Sequence, residues 1–177
     1  MTPDDAARQT STALRDFELS LPMQLLKARE AAMARFRPML RTHDLTEQQW
    51  RVLRVLAAWP GSDAGEIARR SLLLGPSLTR ILQHFEARRV LARKADVDDQ
   101  RRAVFTLTAK GRRLFAAVAP DSERLYAGIA QAFGSAELET LYALLARFCA
   151  ALDEPPGVSG APVSGPSSLV TAFTDAD

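Results

Sequence analysis

Residues 63–111 read DAGEIARRSLLLGPSLTRILQHFEARRVLARKADVDDQRRAVFTLTAKG, a run that contains two helix patterns, a turn between them and a basic hairpin. Asp63 begins the first helix, because its carboxylate can accept backbone N–H bonds at a helix N-terminus, and Glu66 completes a capping pattern. Pro76, after Gly75 and before Ser77, begins the second helix, where a proline loses no hydrogen bond. The pattern predicts two short helices joined by a tight turn.

The second of these helices has two unlike faces. Leu78, Ile81, Leu82 and Phe85 recur at helical spacing and predict the side that packs on the domain. The other side is rich in hydrogen-bond donors, which suits a helix that enters the major groove of DNA. The residues that we expect to face that groove or its phosphates are Pro76, Ser77, Thr79, Arg80, Gln83 and His84.

A hairpin with a charged tip follows the second helix. Residues 90–95 and 103–107 both have strand composition, and five of the seven residues in the segment 96–102 that joins them are charged. Such a hairpin is a wing. We expect Arg102 to reach the DNA minor groove, whereas Arg101 either contacts DNA as well or pairs with Asp99 and braces the hairpin.

Together these elements make a winged helix-turn-helix, and the sequence resembles the MarR family of bacterial transcription regulators. The resemblance rests on LGPSLTRIL at 74–82, DQRR at 99–102 and LTAKG at 107–111. Arg89 departs from it, since the family usually has a glycine there that ends the recognition helix in a left-handed conformation. The resemblance implies a mainly α fold with a small β-hairpin, in which a helical dimerisation region carries the winged helix-turn-helix.

Residues 21–113 also resemble one branch of that family, the HpaR-type regulators of homoprotocatechuate and related aromatic-acid degradation. The similar segments are 29–33, 36–38 and 45–52. The resemblance implies a homodimer on a near-palindromic operator in double-stranded DNA, with its recognition helices roughly 34 Å apart. It also implies that a hydroxylated aromatic or heteroaromatic acid binds between the dimerisation helices and the winged domain and relieves repression.

The rest of the chain fits one domain between two tails. We expect a flexible arm over 1–12, a single domain over 13–152 and a disordered tail over 153–177, which is rich in Gly, Ser and Pro. Within the domain, 13–45 and 109–152 are the predicted dimerisation helices, and 46–108 is the winged helix-turn-helix.

Helical patterns also flank the stretch 63–111. Thr46 and Gln49 form a capping box, and Thr108 caps a later helix that Pro120 should interrupt and kink. The flanking helices are expected over residues 12–41, 47–59, 108–133 and 136–152.

An aromatic acid needs an arginine for its carboxylate, apolar walls for its ring and a hydroxyl, imidazole or amide for its ring substituent. Met33, Phe36 and Trp50 could supply walls, although large apolar residues at helical spacing are mostly core. The candidate ligand-binding residues are Ser20, Gln24, Arg29, Arg37, His43, Trp50 and Arg51.

Arg29 requires an anionic partner, because its spacing from Phe36 places a guanidinium beside an apolar stripe. Two partners fit this position. One is an acid such as Glu30, Glu137 or Glu139 in a salt bridge at a dimer interface. The other is the carboxylate of a ligand, which an arginine binds through two parallel hydrogen bonds.

Charge and composition favour DNA as the partner. The chain has 177 residues and a formal net charge of +2, yet residues 60–113 hold twelve Lys and Arg against six Asp and Glu. A basic segment within an otherwise acidic chain indicates that one face of the protein binds a polyanion, and it argues against general adhesion to membranes. Asp4 and Asp5 stand where a signal peptide would be basic, and Arg147 breaks the best apolar run. We therefore expect a cytoplasmic protein.

Two other functions fit parts of the sequence less well. A redox-sensing or ligand-independent repressor keeps the fold, but a redox sensor needs an accessible thiolate of low pKa, and we expect Cys149 to be buried and inert beside Phe148. An enzyme would need a catalytic constellation. His43 and His84 lie on different predicted elements, and no metal-spacing cluster or glycine-rich phosphate loop occurs. We therefore expect no catalysis, no metal and no cofactor.

Overall fold

The computed structural model describes residues 17–96 and 102–153. The predicted arm over 1–12, nearly all of the predicted tail and Arg101 lie outside these residues. Within them, a 3₁₀ turn at Phe17–Leu19 precedes six helices and a small sheet. The helices are α1 (Leu21–Thr42), α2 (Glu47–Ala58), α3 (Ala64–Ser71), α4 (Gly75–Ala87), α5 (Ala109–Phe133) and α6 (Ser135–Asp153). The strands are β1 (Ser62–Asp63), β2 (Leu91–Ala95) and β3 (Ala103–Leu107). The predicted mainly α fold with a β-hairpin is confirmed.

The sheet is antiparallel, with β3 between β1 and β2. Leu91 pairs with Leu107 in the hairpin, and both side chains are buried. Ser62 pairs with Phe105 at the other edge, so β1 ties the start of α3 to the wing. The sequence did not indicate β1, because two residues are too few to show the alternation of a strand.

The helix starts follow the predicted caps, with two corrections. The Thr46 hydroxyl accepts the Gln49 amide at 3.2 Å, and the Gln49 side chain accepts the Thr46 amide at 2.9 Å, which confirms the capping box. Asp63 accepts the Glu66 amide at 2.8 Å, but the Glu66 carboxylate bonds Arg70 at 2.7 Å and does not return to the cap. The first long helix begins at residue 21, because Phe17–Leu19 form the 3₁₀ turn before it, and residues 12–16 of the predicted helix lie outside the described residues.

Pro120 does not interrupt α5, so that prediction is wrong. The helix continues through it from residue 109 to residue 133. The proline ring removes one N–H and so frees one carbonyl in the preceding turn. Since Pro120 lies on the exposed side of the helix, water can hydrogen-bond the freed carbonyl, and the helix stays unbroken.

Arg89 adopts the left-handed conformation for which a glycine is usual, with φ of 56°. Its amide donates to Glu86 at 2.9 Å, and the next amide, of Val90, donates to Phe85 at 2.8 Å. This pair of bonds is a Schellman motif and ends α4. The Thr108 hydroxyl also donates to the Arg89 carbonyl at 2.7 Å. These bonds compensate a conformation that costs roughly 1–2 kcal/mol in a residue with a Cβ.

The hydrophobic core lies in the winged helix-turn-helix. Leu53, Leu56, Ile67, Phe85 and Val90 are almost completely inaccessible and come from α2, α3, α4 and the residue before β2. The chain divides into two compact units, one that ends at Ile129 and one that begins at Ala130. No helix among the described residues is long and apolar enough to cross a membrane.

Candidate nucleic-acid interface and small-molecule site

The exposed face of α4 carries all six residues predicted there for DNA contact. Leu78, Leu82 and Phe85 are buried on the other face, as their spacing predicts. The exposed residues are Pro76, Ser77, Thr79, Arg80, Gln83 and His84. One of them is limited as a donor, since the Thr79 hydroxyl already donates to the Gly75 carbonyl at 3.0 Å. Contact of this face with DNA stays a prediction.

The N-terminus of α4 is open to an anion. The residue at its cap position, Leu74, provides no side-chain hydrogen bond, and Pro76 follows in the first turn. A Cβ added at Gly75 would meet no atom within 4 Å, so a ligand can approach the backbone there. Amides at a helix N-terminus, together with the helix dipole, favour a phosphate group.

The wing is linked to the start of α3 through Arg102. Its guanidinium hydrogen-bonds the Asp63 carboxylate, which also caps α3. The Glu66 amide and, after it, Arg102 hold the pKa of Asp63 below its ordinary value of 3.8. Arg101 and Asp99 lie outside the described residues. The reach of Arg102 into a minor groove stays a prediction, and any such reach would have to break the bond with Asp63.

Asp63→Ala should lower the free energy of unfolding by about 1 kcal/mol at neutral pH, because it removes the cap of α3. The folded-state pKa of Asp63 lies below the unfolded value, so its contribution is present above the unfolded pKa and is lost as pH falls through the folded pKa. Urea unfolding followed by circular dichroism at neutral pH and near pH 2 checks this. Asp63→Asn keeps a cap oxygen without the charge, so its free energy of unfolding should lie between those of the wild type and Asp63→Ala. If Asp63→Ala lowered the free energy of unfolding as much near pH 2 as at neutral pH, the explanation would be contradicted.

Two of the candidate ligand arginines are already paired. Arg29 donates to Glu30 at 2.6 Å and also bonds Glu47, and Arg37 donates to the other oxygen of Glu30 at 2.6 Å. The Glu47 side chain is only 14% exposed, so the network holds α1 against the first turn of α2. Arg29 therefore has Glu30 as a salt-bridge partner, but within one chain and not across a dimer interface, and its binding of a ligand carboxylate stays a prediction. Glu47 was missed because it lies on another helix.

Arg51 supports α3. Its Nη1 donates to the Ser71 carbonyl at 2.8 Å, which satisfies the last residue of that helix, whereas its Nε is buried without a hydrogen-bond partner in the structure. Burial and, after it, repulsion from Arg29 lower the pKa of Arg51. At the start of α1, Ser20 is the cap residue and Gln24 bonds the Glu18 carbonyl.

His43 and Trp50 face α5. The His43 Nε2 lies 3.0 Å from Asp121 Oδ2, and the Trp50 ring stacks on Phe115 with centroids 5.4 Å apart. The His43 hydrogen bond lowers the pKa of Asp121. The contacts of the seven ligand candidates therefore fall in four places: the start of α1, the α1–α2 network, the end of α3 and the surface beside α5.

A pair that the sequence reasoning missed lies beside α5. Arg54 Nη1 donates to the Tyr126 hydroxyl at 3.3 Å, and the Tyr126 ring lies 5.0 Å from Phe36. Trp50 precedes Arg54 by one helical turn, so one stretch of α2 presents both an aromatic ring and a guanidinium. Arg54 and Tyr126 are 72 residues apart, and only the spacing of Arg54 from Trp50 could have indicated the site.

Several apolar side chains are exposed in the single chain. In α1 they include Leu21, Leu25 and Leu26. The second unit, described by itself, exposes Phe133, Leu141, Leu144 and Leu152, and α6 buries no residue. Cys149 is exposed as well, so the prediction of a buried thiol is wrong for the single chain. The described residues contain no group of three or more His, Cys, Asp or Glu arranged to hold a metal ion.

Comparison with known proteins gives matches over most of the chain. The MarR family model matches residues 43–102. The chain is 40% identical over 131 residues to the homoprotocatechuate degradative operon repressor of Escherichia coli, a match that covers 74% of this chain and 88% of that protein.

Two of the solved structures that resemble this fold bear on its function. One is NadR in complex with 4-hydroxyphenylacetate, with a TM-score of 0.70 and 33% identity over 76% of this chain and 98% of that chain. The other is the transcriptional repressor CouR bound to a 23-mer DNA duplex, with a TM-score of 0.67 and 27% identity over 73% of this chain and 92% of that chain.

Proposed function

The chain belongs to the MarR family of transcription regulators, and on that premise we propose that it is a homodimeric repressor released from its operator by a hydroxylated aromatic or heteroaromatic carboxylic acid. The DNA-binding part of this proposal rests on the exposed face of α4, which is rich in hydrogen-bond donors, and on the uncapped N-terminus of that helix. The CouR complex with DNA supports it. The operator is expected to be near-palindromic, because a two-fold dimer presents two equivalent recognition helices.

Dimerisation is supported by the exposed apolar residues. Leu21, Leu25 and Leu26 of α1 and Leu141 and Leu144 of α6 are all more than a third exposed. Several large apolar side chains exposed along one helix usually mark an interface between proteins. We propose that these helices meet their symmetry mates, as the predicted dimerisation segments 13–45 and 109–152 require.

We propose that the ligand site lies at Arg54 and Tyr126. The guanidinium would bind the carboxylate and the phenol would hydrogen-bond the ligand. The half-buried Phe115 would contact the ring, with the buried Trp50 stacked on Phe115 and the buried Phe36 packed on Tyr126. NadR binds 4-hydroxyphenylacetate, and the Escherichia coli relative represses a homoprotocatechuate degradative operon. Both compounds join a phenol ring to a carboxylate, which matches this set of groups. His43, bonded to Asp121 on the same helix as Tyr126, would bind a ring substituent.

The experiment that tests this proposal is fluorescence anisotropy on a DNA duplex that the wild-type protein selects from a random-sequence pool. The duplex is titrated with and without hydroxylated benzoic, phenylacetic, cinnamic and nicotinic acids. Tight binding to the duplex that is released by one acid would support both the DNA-binding function and the acid response. Failure to select any duplex would refute the DNA-binding function. Hydrogen peroxide belongs in the panel because Cys149 is exposed. Release by peroxide that disappears in Cys149→Ser would make a thiol the sensor.

Arg54→Ala should lower the affinity of the protein for the acid that releases it from DNA by about 10- to 150-fold. The reason is that a charge-assisted hydrogen bond contributes roughly 1.5–3 kcal/mol. DNA affinity without the acid should stay near that of the wild type, since Arg54 is exposed on α2 and outside the predicted DNA-contacting set. Acid titration of the protein–DNA complex measures the change. Arg29→Ala is the matched control, because Arg29 is already paired with Glu30 and Glu47. If Arg29→Ala loses the response and Arg54→Ala keeps it, the site is at the α1–α2 network instead.

A further inference from the structure

A groove separates α4 from the wing. Its lining includes Ala64 and Gly65 at the start of α3, Gln83 and Glu86 on α4, and Arg93 and Ala103 on the two strands of the hairpin. Arg93 was not among the residues that the sequence indicated for DNA contact. Ala64, Gly65 and Ala103 are small residues and leave room for a polymer backbone to approach.

The register of the hairpin places Arg93 on the groove side of the sheet. Arg93 pairs with Phe105, whose side chain is buried, and directly opposed residues of an antiparallel pair lie on the same face. Lys94 pairs with Val104 and so lies on the opposite face. Of these two neighbouring basic residues, Arg93 alone lines the groove.

The charge of Arg93 is available for a ligand. Within the described ranges 17–96 and 102–153 it makes no hydrogen bond or ion pair, whereas Arg102 on the same groove bonds Asp63. Glu86 also lines the groove, so an anion that enters it meets a carboxylate as well as the Arg93 guanidinium. Without Arg93, an anion in the groove would face an uncompensated carboxylate.

We propose that this groove seats the sugar–phosphate strand that passes between the major groove occupied by α4 and the adjacent minor groove at the wing, and that Arg93 contacts a phosphate of that strand. The inference rests on the proposed DNA-binding function. When a helix and a wing enter neighbouring grooves, one strand of the duplex must cross the surface between them. Guanidinium groups pair closely with phosphate oxygens.

The first test is the salt dependence of binding to the duplex selected by the wild-type protein. Arg93→Gln should make the slope of log K against log salt concentration shallower by about one per subunit, since one phosphate contact is lost. Lys94→Gln makes the same charge change on the opposite face and should leave the slope closer to that of the wild type. An unchanged slope in Arg93→Gln, or an equal change in both variants, would overturn the inference. Failure of the wild type to bind any duplex would instead refute the proposed function.

The second test separates DNA contact from folding. Ala64→Glu places a carboxylate at the first position of α3, where the helix dipole favours negative charge, and in the groove, where it would repel a phosphate. We expect an unfolding temperature at or above that of the wild type, together with at least tenfold weaker DNA binding. Gln48→Glu adds the same charge in the first turn of α2 and should leave DNA binding unchanged. Wild-type affinity in Ala64→Glu would exclude the groove as a strand path.

Discussion

Gly111→Ala should lower the free energy of unfolding by about 3 kcal/mol, the upper part of the usual range for overpacking a tight site. A Cβ at this position would overlap the carbonyl oxygen of Val90 and come within 3.2 Å of Leu107 Cδ2. The Val90 carbonyl is backbone and cannot rotate away, and it already accepts the Thr108 amide at 3.0 Å. The start of α5 would therefore have to move off the hairpin. Urea unfolding of the purified variant measures the loss.

Gly128→Ala is the control for this prediction. Gly128 lies in the same helix, and a Cβ there would meet nothing within 4 Å. Since alanine favours a helix over glycine by roughly 1 kcal/mol, Gly128→Ala should be neutral or stabilising. Equal destabilisation by both substitutions would show that α5 tolerates no change of glycine, and that contact with Val90 is not the cause.

Arg80→Ala should weaken binding to the selected duplex by about 1–3 kcal/mol, or roughly 5- to 150-fold. Arg80 is exposed at the middle of α4, where an arginine can form paired hydrogen bonds with a guanine edge. Binding to a shuffled duplex should change much less, so the ratio of the two affinities should fall. Anisotropy titrations on both duplexes at one salt concentration give this ratio.

The control for Arg80 is another exposed arginine. Arg124 is 73% exposed on α5, and Arg124→Ala makes the same change in net charge. It should leave the affinity ratio unaltered, because a uniform charge effect acts on both duplexes alike. A normal ratio in Arg80→Ala would mean that α4 does not read bases through this residue, whatever its exposure.

The local elements of the fold could be predicted because their signals lie within a few residues. Thr46 and Gln49 form their capping box within one turn, and Asp63 caps α3 in the same way. The buried face of α4 followed from residue spacing alone. Arg89 shows the limit of such rules, since its left-handed backbone depends partly on a hydroxyl donated by Thr108, nineteen residues later.

The contacts of the candidate ligand residues could not be predicted from the sequence, because they join distant segments. Arg54 meets Tyr126 across 72 residues, and Arg51 is fixed by a carbonyl at the end of another helix. The exposure of Cys149 has a different origin. An apolar helical stripe shows that a helix packs against something, but it does not say whether the partner belongs to the same chain.

The two-residue strand β1 has a mechanical consequence. Its pairing with β3, together with the Asp63–Arg102 bond, fastens the start of α3 to the wing at two adjacent points. The helix-turn-helix and the base of its wing should therefore move as one rigid body. In the proposed dimer, a signal that acts at α5 would then change the distance and angle between the two helix-turn-helix units without unfolding either one. Such a dimer would bind only operators in which the spacing of the two half-sites matches the separation of its two recognition helices.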